Sequence, residues 1–294
     1  MGLFDLFKRG GREADAPAPV VATGSVVKPK QAVTRVYAPG GGTDMANNDT
    51  LAELFRVPQE ERRAGWTDSF FRALWRAPLV VPQARAFTGP DGFPYLHMCL
   101  PEKNKPYQSH SLAGEAMMLL DQGVGIALFD SPDKSFLQYV MQVGQIDCLV
   151  RYDHWLGDPQ DCEEGAARRA AAKVAPGLEA ITTEKQQEVL IGSPSEALLP
   201  SYTARALEKH MREQWHMEEP RVALMVNHGM APSRNLVIGR KLSDFADPET
   251  AGEEARALRW YLPPQRGLML QPDMMTLEEM RPLTDFFPKE NNGD

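Results

Sequence analysis

Val189-Leu190-Ile191-Gly192-Ser193-Pro194, Arg221-Val222-Ala223-Leu224-Met225-Val226 and Leu236-Val237-Ile238-Gly239 are three short apolar runs in the second half of this chain. Between the first two, the segment opening at Pro200 and running to Trp215 has helical spacing, with a proline where a helix accepts one. The block from Val189 to Lys241 therefore reads as strand, helix, strand, turn, strand. No catalytic signature lies in it, so it decides architecture and leaves the chemistry to the rest of the chain.

Working outward, 294 residues with 43% hydrophobic side chains are enough for two cores of ordinary size. No apolar run approaches the roughly eighteen residues that cross a bilayer, and Met1 to Gly10 lacks the apolar core and cleavage site of a secretory signal. Cys99, Cys148 and Cys162 form no CxxC pair, which fits a reducing compartment. The cytoplasm is the expected location. The net charge of −8 is uneven: residues 1–50 carry six Lys/Arg against five Asp/Glu, which is +1, so the remainder carries −9. An acidic body without a basic, aromatic-interleaved patch disfavours nucleic acid.

Residues 1–49 read as a flexible tail, rich in Ala, Pro, Gly and Val, with Ala16-Pro17-Ala18-Pro19 and Pro39-Gly40-Gly41-Gly42. Leu3, Phe4 and Phe7 give its first nine residues an amphipathic start, a hook for a partner or a membrane surface. One or two turns bury too little apolar area to hold a membrane alone. Position 6 is Leu where a myristoylation motif needs Ser or Thr.

Thr50-Leu51-Ala52-Glu53 has the form of a capping box, which places the start of ordered structure near Thr50. Phe70, Phe71, Leu74 and Trp75 recur at helical core spacing. Leu79 to Pro82 and Phe93 to Leu100 read as strands, Gly114 to Asp121 as a helix and Val124 to Phe129 as a buried strand. Asp130-Ser131-Pro132-Asp133 turns the chain, with Ser131 placed to cap a helix starting at Pro132, and Ile146 to Arg151 reads as a closing strand. A first domain then spans 50–157, a helical connector 158–180 and a second domain 181–288, with 289–294 a frayed end. In the second, Asp247-Pro248-Glu249 caps a helix to about Tyr261, Gly267 to Gln271 is a strand, and Met274 to Pro288 carries the apolar stripe of a docking helix. The expected class is α+β, two mixed domains joined by a connector behind a flexible tail.

The motifs of common chemistries are missing. There is no GxxxxGK[ST], no GxSxG and no HExxH, and Gly123-Val124-Gly125 enters a strand where a dinucleotide fingerprint must enter a helix. No cofactor and no metal is expected. His97, Cys99 and His110 are the one set from which a Cys/His nucleophile can be drawn, although ordinary strand and loop positions explain them better. His210 and His216, six apart, do not stack on one helical face. Of the fourteen methionines, Met225, Met230 and Met269 lie near strand ends, where flexible thioethers suit a partner groove as well as a core.

The run Leu190-Ile191-Gly192-Ser193-Pro194 with Pro200, the helix Ala204 to Trp215, Val222-Ala223-Leu224-Met225 and Leu236-Val237-Ile238-Gly239 resembles the C-terminal domain of the SseB (enhanced serine sensitivity) family. Phe70-Phe71-Arg72-Ala73-Leu74, Val80-Val81-Pro82, Phe93-Pro94-Tyr95 and Gly123 to Phe129 resemble its N-terminal domain, so the likeness covers about residues 51–272. The resemblance implies a bacterial, cytoplasmic, two-domain α+β protein with no agreed catalytic residues to carry over. The expected function is non-enzymatic: an interaction or regulatory protein with a protein partner, held through Leu3, Phe4, Phe7, Met225, Met230 or Met269. The alternatives are an enzyme or small-ligand protein using His97, Cys99 and His110, and an immunity-type or secretion-linked adaptor whose acidic body meets a basic partner.

Overall fold

The computed structural model describes residues 35–82, 86–133, 136–174, 189–273 and 275–288. The hook residues Leu3, Phe4 and Phe7 lie outside them. So do the connector beyond Val174, the start of the second expected domain and the final residues 289–294.

Two helices open the described chain, α1 (Ala46–Phe55) and α2 (Ala64–Arg76). Thr50 does not start α1 but sits inside it, its hydroxyl donating to the Ala46 carbonyl, while the Asp44 carboxylate accepts from the Ala46 amide at the true start. The tail boundary at 49 also moves back. Tyr37 is buried against Trp75, its amide donates to Asp153, and the Trp75 indole donates to the Ala38 carbonyl, so the folded body already includes these residues. Phe70, Phe71, Leu74 and Trp75 fall on the buried face of α2, as their spacing predicts.

The first sheet has the order β1-β2-β3-β4: β1 (Phe87–Thr88), β2 (Pro94–Cys99), β3 (Gly125–Phe129) and β4 (Leu137–Met141). β2 and β3 run parallel, linked by α3 (Leu112–Gln122), and the outer pairs are antiparallel. Leu79 and Val80 make only isolated bridges, to His110 and Cys99. The Asp130 turn leads into a hairpin strand rather than a helix, because the Asp130 backbone and carboxylate both bond Phe136 and carry the chain straight back along β3. The segment expected as a closing strand is instead α4 (Val143–Tyr152). Val143, Ile146, Leu149 and Val150 recur at three- and four-residue steps and are buried, and Gln142 with Gln145 forms the cap.

After α5 (Pro159–Val174) the second sheet has the order β5-β6-β7-β8, with β9 beside β5 on the same side of β6. Its strands are β5 (Val189–Gly192), β6 (Arg221–Asn227), β7 (Arg234–Ile238), β8 (Gly267–Leu270) and β9 (Arg281–Pro282). Helix α6 (Ser201–Trp215) joins β5 to β6. Helix α7 (Pro248–Leu258), capped by the Asp247 side chain on the Thr250 amide as expected, joins the parallel pair β7 and β8. Among the described residues of 274–288 the expected docking helix is not formed. Two short 3-10 turns, Leu277–Glu279 and Leu283–Phe286, flank β9, whose Pro282 supplies no amide to an α-helical ladder.

The class is α+β with two mixed sheets. One hydrophobic core runs through both halves, from Phe70, Leu96 and Ile146 to Leu207, Leu236 and Trp260, and the described residues form one compact unit. The connector is part of it: Asp161 of α5 accepts from Arg234 and faces Arg266, and Glu164 accepts from the Ser233 amide and hydroxyl.

Candidate functional site

Where the halves meet, they leave a cleft of about 380 Å3. The first half supplies Asp91, Phe93 and the end of α3 at Gln122 and Gly123; the second supplies one face of α6, Glu254 of α7 and Tyr261. Junctions of this kind are where ligand sites form most often.

Local sequence explains the shape. Asp91 and Gly92 turn the chain between β1 and β2, the Asp91 carboxylate accepting from the Phe93 amide and from the Tyr95 hydroxyl. Gly123 ends α3 in the left-handed region at φ 64°, and a Cβ there would stand 3.3 Å from the Cβ of Ala206, so glycine lets α3 approach α6 closely. On α6, Ala204, Leu207, Met211 and Trp215 go into the core, which leaves Lys209, His210 and Glu213 to face the cleft.

An aromatic wall stands behind these groups. Phe93 stacks on Trp260, centroids 4.6 Å apart and planes 6° apart, and on His210 at 6.0 Å and 15°. Tyr261 Oη lies 3.3 Å from His210 Nδ1, and the Trp260 indole donates to Tyr95 Oη at 3.1 Å. Trp215 is 6% exposed, and its indole N–H has no acceptor among the described residues. Burial, reinforced by the Asp91 hydrogen bond, pushes the Tyr95 phenol up to about 12, and burial with the Glu213 charge pushes Tyr261 up as well.

Burial lowers His210 from its ordinary 6.5, Glu213 pulling partly the other way, so the cleft holds a neutral imidazole at pH 7. Its three carboxylates, Asp91, Glu213 and Glu254, then face one ammonium, Lys209. Glu254 is bonded to Arg240, while Glu213 makes no ion pair among the described residues. A consequence follows for stability. As pH falls through about 6.5 the unfolded chain takes up a proton at His210 that the folded chain refuses, so stability drops and levels off only once the folded imidazole also protonates. Melting temperatures from pH 8 to pH 5 are expected to fall less steeply for His210→Gln than for the natural chain; parallel curves would contradict this.

The residues singled out from sequence lie elsewhere. His97 and Cys99 are both buried on β2, His97 edge-on to Phe129 at 4.6 Å. The Cys99 thiol points at the Val80 carbonyl, 3.8 Å away, and burial pushes it up to about 12, far from a thiolate at neutral pH. His110 Nδ1 lies 2.8 Å from Glu115 Oε1. Met225 and Met269 pack with Ala223, Val237, Met275 and Met280 in a small second core cluster, whereas Met230 is exposed in the hairpin between β6 and β7. Among the described residues no three His, Cys, Asp or Glu side chains group as a metal site, and no helix is long and apolar enough to cross a membrane.

Sequence reading passed over Phe93, Glu213, Trp260 and Tyr261. The available signal was the adjacent Trp260-Tyr261 pair at the end of a capped helix, where two large rings with polar tips ask for partners. The fold and the cleft together define a two-sheet α+β protein with an aromatic, acidic cleft at its seam. Comparison with known proteins finds no matching family model, no matching curated protein and no matching solved structure.

Proposed function

We propose that this is a non-enzymatic interaction or regulatory protein, and that it receives a protein partner in the cleft between the Asp91–Phe93 turn, α6 and Tyr261. The carrying observation is the cleft's composition: stacked aromatic rings beside Glu213, a carboxylate with no ion pair among the described residues, on a two-sheet frame. Rings with polar edges and a few fixed charges are the equipment of recognition. The SseB-like likeness and the bacterial cytoplasm belong to the same reading.

The test places a photo-crosslinking amino acid at Gln214, exposed on the cleft rim, and in a separate variant at Lys105, exposed in the loop after β2. Irradiated cells are expected to give a discrete covalent adduct of the full chain from position 214 and none from 105. The same adducts from both positions, or none from either, would overturn the reading.

A further inference from the structure

Building on that reading, we propose that the cleft takes an arginine side chain of the partner. The guanidinium lies against Phe93, His210 and Tyr261 and pairs with Glu213.

Two features point to this occupant. First, the cavity is real space between two packed halves, about 380 Å3, room for one long side chain with its flanking peptide groups. Second, its groups match a flat cation that donates hydrogen bonds. Aromatic faces attract a cation through their quadrupole, and guanidinium adds planarity and a forked set of donors that a carboxylate accepts pairwise.

The protein already uses the same chemistry with its own arginines. Arg240, just behind the cleft, sets its guanidinium 4.0 Å from the Phe245 ring centroid and 5.1 Å from that of Trp215, and reaches the Glu254 carboxylate at 3.3 Å. Arg62 lies 4.4 Å over Trp66. Lys209, one turn before Glu213, makes no ion pair among the described residues, and its flexible stem lets it swing clear. The charge of −9 on residues beyond 50 draws a basic segment in.

The experiment is a calorimetric titration of the full chain with a capped Gly-Arg-Gly peptide, the same peptide carrying neutral citrulline, and free L-arginine. Saturable binding of the arginine peptide is expected, about tenfold tighter than the citrulline peptide, with a loss of about tenfold in Glu213→Gln. Lys209→Gln, which removes a competing charge, is expected to tighten it. Equal affinity for arginine and citrulline, or unchanged affinity in Glu213→Gln, would overturn the assignment. Tighter binding of free L-arginine than of the peptide would overturn the polypeptide source. A specific crosslink at position 214 with no preference for arginine sinks this inference and leaves partner binding standing; loss of the crosslink removes the reading beneath it.

Discussion

Gly144→Ala is expected to destabilise the protein by about 3 kcal/mol or more, a large effect for one methyl group. Gly144 sits in the first turn of α4, and a Cβ built on it would lie 1.9 Å from the Leu262 carbonyl oxygen and 2.3 Å from its carbon. Both are backbone atoms, so no side-chain tip can swing away. Either α4 or the Trp260–Leu262 segment must move. That segment carries Trp260 and Tyr261 into the seam, so relief of the clash also spreads the aromatic wall of the cleft. Urea denaturation followed by far-UV circular dichroism measures the cost through the midpoint. An unfolding free energy within about 0.5 kcal/mol of the natural chain's would show that α4 does not pack as described.

Asp161→Ala is the second large effect, expected at about 3–5 kcal/mol, because it strands a buried cation. The Asp161 side chain is fully buried, accepts from Arg234 Nη2 at 2.7 Å and stands 3.4 Å from Arg266 Nε. Arg266 is itself fully buried and otherwise donates to Tyr152 Oη at 3.0 Å. Arg234 keeps Asp158 at 3.0 Å, but Arg266 has no other carboxylate within ion-pair distance among the described residues. Desolvating a guanidinium without its counter-charge is the source of the penalty. The double variant Asp161→Ala, Arg266→Met is therefore expected to be more stable than Asp161→Ala alone, since it takes away the stranded charge. The same denaturation experiment reads both, and a double variant no better than the single would contradict the pairing.

How much of this was legible depends on the physical signal each segment carries. The runs at Val222–Val226 and Leu236–Ile238 read as strands because they are short, β-branched and mostly buried, and they fold as β6 and β7. Helix α7 was announced by Asp247-Pro248, a cap followed by a proline that a first turn tolerates. Ile146–Arg151 misled because six residues taken alone look like an apolar strand; the helical period emerges only when Val143 is counted with Ile146 and Val150. β5 is another lesson in context. Val189, Leu190 and Ile191 are apolar yet all exposed, forming an edge where the sequence suggests a core.

The cleft was hidden for a different reason. Phe93 and His210 are 117 residues apart and Trp260 lies 50 further on, and only the packing of α3 against α6, permitted by Gly123, brings their rings together. Local pattern carries no trace of such pairings. What the sequence does carry is the acidic excess, which agrees in sign with the cleft carboxylates Asp91 and Glu213.

The most direct measurement of the central claim uses the tryptophans themselves. The chain has five, of which Trp215 lines the cleft and Trp260 stacks on Phe93, while Trp66, Trp75 and Trp155 pack elsewhere in the first half. In 19F spectra of the fluorotryptophan-labelled full chain titrated with the capped Gly-Arg-Gly peptide, the Trp215 and Trp260 resonances are expected to shift together and saturate, with the other three unmoved. Shifts confined to Trp66, Trp75 or Trp155, or no saturable shift at Trp215 and Trp260, would contradict a cationic partner seated in the cleft.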